Sequence, residues 1–200
     1  MVSRQSSGTT DEQMNIFFTA DHHFNHKRII EYCSRPFKDI DEMNEALIQK
    51  WNSKVKLEDT VYHLGDFAFG HIEDQLKVLK RLNGSINFIL GSHDKNLSEA
   101  VEAFNKERGI ASRKIIGSMT TVCVEKTEII LCHYSMRTWP KSHYGTWHLF
   151  GHSHGKLEGW GKSFDIGVDV WNFEPLSFDE VEKGMASRPD NFNLVQREVS

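Results

Sequence analysis

Seven residues, Thr60-Val61-Tyr62-His63-Leu64-Gly65-Asp66, constrain the fold of this chain more than any other stretch. Residues 60–64 are β-branched, aromatic and aliphatic, the composition of a buried strand. Gly65 ends the run and Asp66 stands at its carboxyl tip, the edge of an open α/β sheet where ligands bind. A lone Gly-Asp pair is ordinarily a turn. Here four other strand-like runs end in the same chemistry. Phe17-Phe18-Thr19-Ala20 leads into Asp21-His22-His23, and Phe88-Ile89-Leu90 into Gly91-Ser92-His93-Asp94. Ile129-Ile130-Leu131-Cys132 stops at His133, and His148-Leu149-Phe150 leads into Gly151-His152-Ser153-His154. Five strand ends that each deliver Asp or His describe a metal site with Asp66 at its centre.

The segments between those ends read as helices in the first half. Residues 27–33 form a short one, stopped by Arg35-Pro36. Asp39 or Asp41 caps the next, whose Met43, Leu47, Trp51 and Val55 recur every four residues and mark one buried face. Ile72, Leu76, Leu79 and Leu82 stripe a third, ended by Asn83-Gly84. Residues 95–104 read as one more. Strand alternating with helix points to a partly parallel sheet. The second half is strand-rich, with strands over 114–116, 120–125, 128–132, 146–150 and 163–168, a hairpin turn at Lys126-Thr127, and a terminal helix over 177–186. The expected fold is α/β, a two-sheet β-sandwich flanked by helices. One domain is expected over residues 14–200, preceded by a mobile Ser/Thr/Gln-rich tail over 1–13.

Composition narrows the function. At 200 residues with 38% hydrophobic and 26% charged, the chain can bury one sizeable core. A net charge of -4 gives no footprint of a dedicated duplex nucleic-acid binder. The three cysteines, Cys33, Cys123 and Cys132, lack Cys-x-x-Cys spacing, which argues against a disulfide framework and fits a reducing compartment. No apolar run is long enough to span a membrane, and the amino terminus lacks the apolar stretch of a secretory signal. A cytoplasmic protein is the expectation.

Asp21-x-His23, Gly65-Asp66, Gly91-Ser92-His93-Asp94, His133 and Gly151-His152-x-His154 follow the order and spacing of the calcineurin-like metallophosphoesterases. From residue 15 to about 187 the chain resembles the small bacterial and bacteriophage-type members of that superfamily. The resemblance implies a two-metal phosphoesterase fold and a phosphoester substrate, with phosphodiesters, cyclic nucleotides and phosphomonoesters all in the class. It implies that Asp66 bridges two divalent metals, with Asp21, His23 and His154 completing the first site and His133 and His152 serving the second. It further implies that His93 protonates the departing alkoxide, oriented by Asp94, during in-line attack by metal-bound hydroxide. Asp and neutral His suit borderline metals, so manganese, iron, nickel and zinc are the candidates. One position departs from the family pattern. Ser92 stands where an Asn ordinarily completes the second metal site, and a hydroxyl is the poorer ligand.

Four further residues are candidates for substrate contact: His26, in the loop of the first site, Arg35, Arg137 and Trp139. His22, His63, His71, His143 and His148 fall outside the motif and read as surface or packing residues. Cys132 and Trp51 read as core. The rival to the enzyme is a non-enzymatic binding module that keeps the fold with a weakened second metal site. Ser92 favours that rival, and the intact set of acid and six Asp and His ligands weighs against it.

Overall fold

The computed structural model describes residues 14–196, so the tail expected over 1–13 lies outside the described residues. Strands β1 (Ile16–Thr19), β2 (Thr60–His63), β3 (Ser85–Phe88) and β4 (Arg113–Ile115) run parallel. The crossovers carry α1 (Ile29–Tyr32) and α2 (Ile40–Lys54) between β1 and β2, then α3 (Ile72–Leu79) and α4 (Leu97–Arg108). The second sheet has the order β5-β6-β7-β8, built from β5 (Met119–Val124), β6 (Thr127–Cys132), β7 (Trp147–Phe150) and β8 (Ser163–Asp165). Its first pair is an antiparallel hairpin; β6, β7 and β8 are parallel. A short β9 (Leu176–Ser177) returns to pair antiparallel with β1, and α5 (Phe178–Ala186) follows.

Strand alternation divides the core in two. Phe17, Val61, Ile86 and Phe88 turn toward the helices and join Met43, Leu47, Trp51, Val55, Leu79, Ala100 and Phe104 in one buried cluster. Phe18 faces the other way and packs with Ile129, Leu131, Leu149 and Phe164 of the second sheet, and with Val181 and Met185 of α5. Two sheets face to face with helices outside is the expected α/β sandwich. The α2 face is the clearest part of the pattern, since Met43, Leu47, Trp51 and Val55 are all fully buried. Each such side chain contributes ~1.5–3 kcal/mol relative to exposure. The Asp39 carboxylate caps α2 by accepting from Glu42 N at 2.9 Å, and Glu42 reaches back to Lys38 N at 2.7 Å.

Local details differ from the sequence pattern. The hairpin turns on Glu125 and Lys126, because Val124 pairs with Thr127 and Glu125 takes φ 51°. On α3 the fully buried side is Gln75, Val78 and Leu79, with Ile72 and Leu76 only partly covered. The Gln75 side chain donates to the Lys95 carbonyl at 2.8 Å, which lets an amide sit at a core position.

The carboxyl ends of the two sheets are stitched together, and this positions everything that follows. Ala20 bridges to Gly167, and Val168 N donates to Ala20 O at 3.1 Å. Within each sheet the same ends are paired, Asp21 N donating to Gly65 O and Gly151 N to His133 O, both at 3.0 Å. The Asp- and His-bearing turns therefore leave their strands along one seam. Among the described residues no helix is long and apolar enough to cross a membrane.

Candidate metal centre

The turns beyond the strands bend their side chains inward by an uncommon backbone route. Asp21, His23, Asp66, His152 and His154 all have positive φ, between 48° and 67°. For a residue with a Cβ that conformation costs roughly 1–2 kcal/mol, and such strain gathers at functional sites. Glycines clear the space between them. A Cβ on Gly65 would lie 2.6 Å from Gly91 Cα and 2.8 Å from His133 Nδ1, and one on Gly151 would lie 2.5 Å from Asp21 Oδ2.

Two groups of atoms that could hold a metal ion result. Asp21, His23 and His154 form one, and Asp66, His133 and His152 the other, the atoms within each lying within 4.8 Å of one another. Asp66 Oδ2 lies 3.6 Å from His23 Nε2 and 3.5 Å from His133 Nε2, so one carboxylate oxygen faces both groups. Asp66 Oδ1 accepts from His93 N at 2.8 Å, and Ser92 Oγ donates toward the same carboxylate at 3.2 Å. His133 Nδ1 is held by the Leu64 carbonyl at 2.8 Å, leaving Nε2 toward Asp66. His152 N donates to Asp21 Oδ2 at 2.8 Å.

The donor set fits a divalent cation. Among the described residues, Asp21 Oδ1 and both ring nitrogens of His23 are buried without a hydrogen-bond partner, and an unmet buried polar atom costs ~1–3 kcal/mol. Carboxylates with imidazoles suit borderline transition metals. Burial raises the Asp21 carboxyl to about 7 and keeps the His23 imidazole neutral by pushing its pKa far down. Burial also opposes ionisation of Asp66, but the hydrogen bond and charge of His133 outweigh it and hold Asp66 below the usual range. Burial likewise opposes charge on His154, yet its contact with Asp169 raises it to about 10. A histidine that gathers a proton among carboxylates releases it when a metal takes its place.

Beneath the first group lies a buried brace. Arg35 Nε and Nη2 donate to the two Asp169 oxygens, each at 2.8 Å. The same guanidinium donates to the Asp21 and His22 carbonyls, both at 2.8 Å. Asp169 Oδ2 in turn lies 2.7 Å from His154 Nδ1. Cys33 completes a third group with His154 and Asp169, but Arg35 and His154 already occupy the Asp169 oxygens. Asp165 supports the neighbouring turn, accepting from Ser153 Oγ at 2.5 Å and Gly155 N at 2.9 Å through Oδ2. Neither Asp165 nor Asp169 figured among the sequence candidates. Residues 163–168 are a strand-like run with a carboxylate at its end, so the rule applied to the other five strand ends reaches Asp169.

Three expected roles are corrected. Arg35 is turned inward with its donors engaged, so it is unavailable to substrate. Trp139 is buried, its Nε1 donating to the Thr146 carbonyl at 3.0 Å, and it packs on His148. The Asp94 carboxylate accepts from Gly91 N, Asp66 N and Phe67 N at 2.7–2.9 Å. It ties the Asp66 turn to the 91–94 turn instead of orienting the His93 ring. His93 itself is exposed at the rim, its ring centroid 5.9 Å from that of His23. His26 is partly covered and stacks on Phe69 at 4.0 Å. Arg137 is exposed, with its guanidinium 3.7 Å above Trp160. His22, His63 and His148 are fully buried packing residues, as their place outside the motif implied. Tyr134, not singled out in the sequence, sets its ring 4.8 Å from His152.

No family profile matches this sequence. The uncharacterized protein MJ1445 of Methanocaldococcus jannaschii is 31% identical over 189 residues, covering 88% of this chain and 96% of that protein. The gene 66 protein of Mycobacterium phage L5 is 36% identical over 83 residues, 40% of each chain. Among solved structures, the protein of unknown function AQ665 from Aquifex aeolicus superposes with a TM-score of 0.67 at 23% identity, covering 86% of this chain and 99% of that one. That likeness shows the fold. A structure described as a novel archaeal phosphodiesterase aligns more loosely, with a TM-score of 0.47 at 17% identity over 77% of this chain and 82% of that one. With 31% identity along nearly the whole length of the archaeal protein, this chain belongs to the family of MJ1445.

Proposed function

We propose that the protein is a metal-dependent phosphoesterase with two ion positions that share Asp66. The observation that carries this reading is the place of Asp66 Oδ2, 3.6 Å from His23 Nε2 and 3.5 Å from His133 Nε2, between the two groups of ligands. Asp21, His23 and His154 would hold one ion, and His133 and His152 the other, with Ser92 a weak addition to the second. Divalent ions there supply Lewis acidity for the phosphoryl oxygens and activate the attacking water. The chain supplies the rest. Asp66 is kept ionised by its neighbours, so it can serve both positions without first losing a proton. Asp94 fixes the main chain at Asp66 and Phe67 through two N–H contacts and ties it to the neighbouring turn through a third, Gly91 N. His93 has its own N–H anchored on Asp66 Oδ1, which leaves its exposed imidazole at the rim to protonate the leaving oxygen. His26, beside Phe69, lies on the same rim and is the remaining candidate for substrate contact. Arg137 stays a weaker one.

One domain over residues 14–200 and a cytoplasmic setting belong to the same reading, the latter supported by free Cys33, Cys123 and Cys132. The test is hydrolysis of mono-, di- and cyclic phosphoesters after reconstitution with manganese, iron, nickel or zinc, alongside Asp66→Asn. Metal content and turnover should fall together in that variant. Unchanged loading would remove Asp66 from the centre. Ser92 Oγ lies 3.2 Å from the Asp66 carboxylate, which keeps the non-enzymatic module as the second reading, identified by metal binding with no hydrolysis of any ester in the panel.

A further inference from the structure

We infer that Arg35 and Asp169 are positioning residues for one ion position only, that of Asp21, His23 and His154, and leave the other untouched. The inference rests on the metal-centre reading above and deepens it.

The guanidinium of Arg35 holds the Asp21 carbonyl directly and bears on His23 and His154 through their neighbours His22 and Asp169, without being a ligand. Nη2 takes the Asp21 carbonyl and Nη1 the His22 carbonyl, both at 2.8 Å, which grips the turn that presents Asp21 and His23 from behind. Both of those ligands have left-handed backbone, with φ 60° and 51°. A turn in that conformation relaxes unless its carbonyls are held, because the strain must be offset by surrounding contacts. The third ligand is reached through Asp169. Arg35 locks both carboxylate oxygens, and Oδ2 meets His154 Nδ1 at 2.7 Å. With Nδ1 committed to the carboxylate, Nε2 of His154 is the nitrogen left for an ion, and the ring plane is set. The Arg35 side chain is fully buried and that of Asp169 is 8% exposed, so water does not loosen the arrangement.

The second group is supported differently. The Leu64 carbonyl orients His133, and His93 N with Ser92 Oγ holds Asp66. None of these contacts passes through Arg35 or Asp169; the hydrogen bond that links the groups, His152 N to Asp21 Oδ2 at 2.8 Å, meets the Asp21 carboxylate and not the carbonyl that Arg35 holds. The two positions should therefore respond unequally when the brace is cut. A planar fork that spans a carboxylate and two carbonyls is a task for arginine, and a lysine ammonium cannot reach all three.

The experiment is zinc titration of the purified full chain by competition with a chromophoric chelator, in two backgrounds. His152→Ala leaves the first position, and His23→Ala leaves the second. Asp169→Asn should weaken zinc binding ~10–100-fold in the His152→Ala background, the loss usual for a severed partner of a metal-binding histidine. The same substitution should leave the constant unchanged in the His23→Ala background. Arg35→Lys should follow Asp169→Asn and fail to rescue. Should either single variant not fold, Arg35→Met with Asp169→Leu removes both buried charges together, a replacement that can preserve stability. That folded double variant should still bind zinc weakly at the first position, which a merely structural brace would not produce. Parent-like affinity there, or an equal loss in both backgrounds, overturns the positioning role and leaves the metal centre standing. If neither background binds zinc at all, the metal-centre reading falls, and this inference with it.

Discussion

One methyl group should be enough to disable the proposed centre if it is placed at Gly91. This glycine does not rely on positive φ, so alanine meets no backbone penalty and the effect is purely steric. A Cβ there would press on the Asp66 carboxylate, lie 2.6 Å from Asp66 N, and lie 3.0 Å from His133 Cε1. Ordinary contacts of a Cβ fall at 3.4–4 Å, so Asp66 must retreat by nearly 1 Å or the 91–94 turn must shift by as much. The three N–H contacts of Asp94 bind those two turns together, which prevents either from moving alone. Overpacking of this kind costs ~1–3 kcal/mol of stability. A displacement of ~1 Å at a reacting centre costs ~100-fold in rate. Gly91→Ala should thus remain folded by circular dichroism, melt a few degrees lower, and lose ~100-fold in phosphoesterase turnover together with zinc affinity. Gly109→Ala is the control, since a Cβ there meets nothing within 4 Å and only its φ of 65° is strained. It should lose stability and keep turnover. Parent-like turnover and zinc affinity in folded Gly91→Ala would show that the position of Asp66 does not matter to the chemistry.

Three other outcomes are expected. His93→Ala should keep its metal content and slow turnover by ~10²–10⁴-fold, more for alkoxide leaving groups than for nitrophenolate; equal losses on both would assign His93 to another task. Ser92→Asn should tighten the weaker ion position by at least ~10-fold and raise turnover, which parallel titrations of the two forms will check; no gain in either would mean that the position is already filled. Burial lowers the His148 pKa to about 4, although its Nδ1 contact with the Ile130 carbonyl favours charge. Its neutral form therefore contributes stability above pH 6.5 that is lost as the pH falls to 4, ~3 kcal/mol for a shift of that size. Urea midpoints between pH 7 and 4 should decline less steeply in His148→Gln than in the parent, and parallel slopes would refute the assignment.

What could be read from the sequence follows the range of the interactions. The α2 face was legible because Met43, Leu47, Trp51 and Val55 answer to one local period, and burial obeyed it. The strand ends were legible because each is a short apolar run closed by a polar turn, and the fold brings those turns to one seam. Arg35 was misplaced because its partner Asp169 is 134 residues away and nothing local announces the pair. Trp139 looked like a surface aromatic because it lies in the connection between β6 and β7, and only the folding of that connection back onto Thr146 and His148 buries it. Asp94 follows His93 directly, yet its carboxylate turns to main-chain N–H groups that no sequence pattern marks. The strand β9 is only two residues long and carries no period at all.

The proposed ligand positions are shared evenly between the two sheets. Asp21, His23 and Asp66 follow β1 and β2, while His133, His152 and His154 follow β6 and β7. An ion seated among them would clasp one sheet to the other across the seam, so its binding free energy is also docking free energy. At a free concentration of about a hundred times the dissociation constant that amounts to ~2.7 kcal/mol, a sizeable share of the ~5–15 kcal/mol that holds a domain folded. Breathing of the sandwich and release of the ion are then a single event seen from two sides. Slow amide exchange along β1 and β7 would report on metal supply as directly as any assay of catalysis. If the proposed centre binds its ion, withholding that ion would loosen the molecule itself.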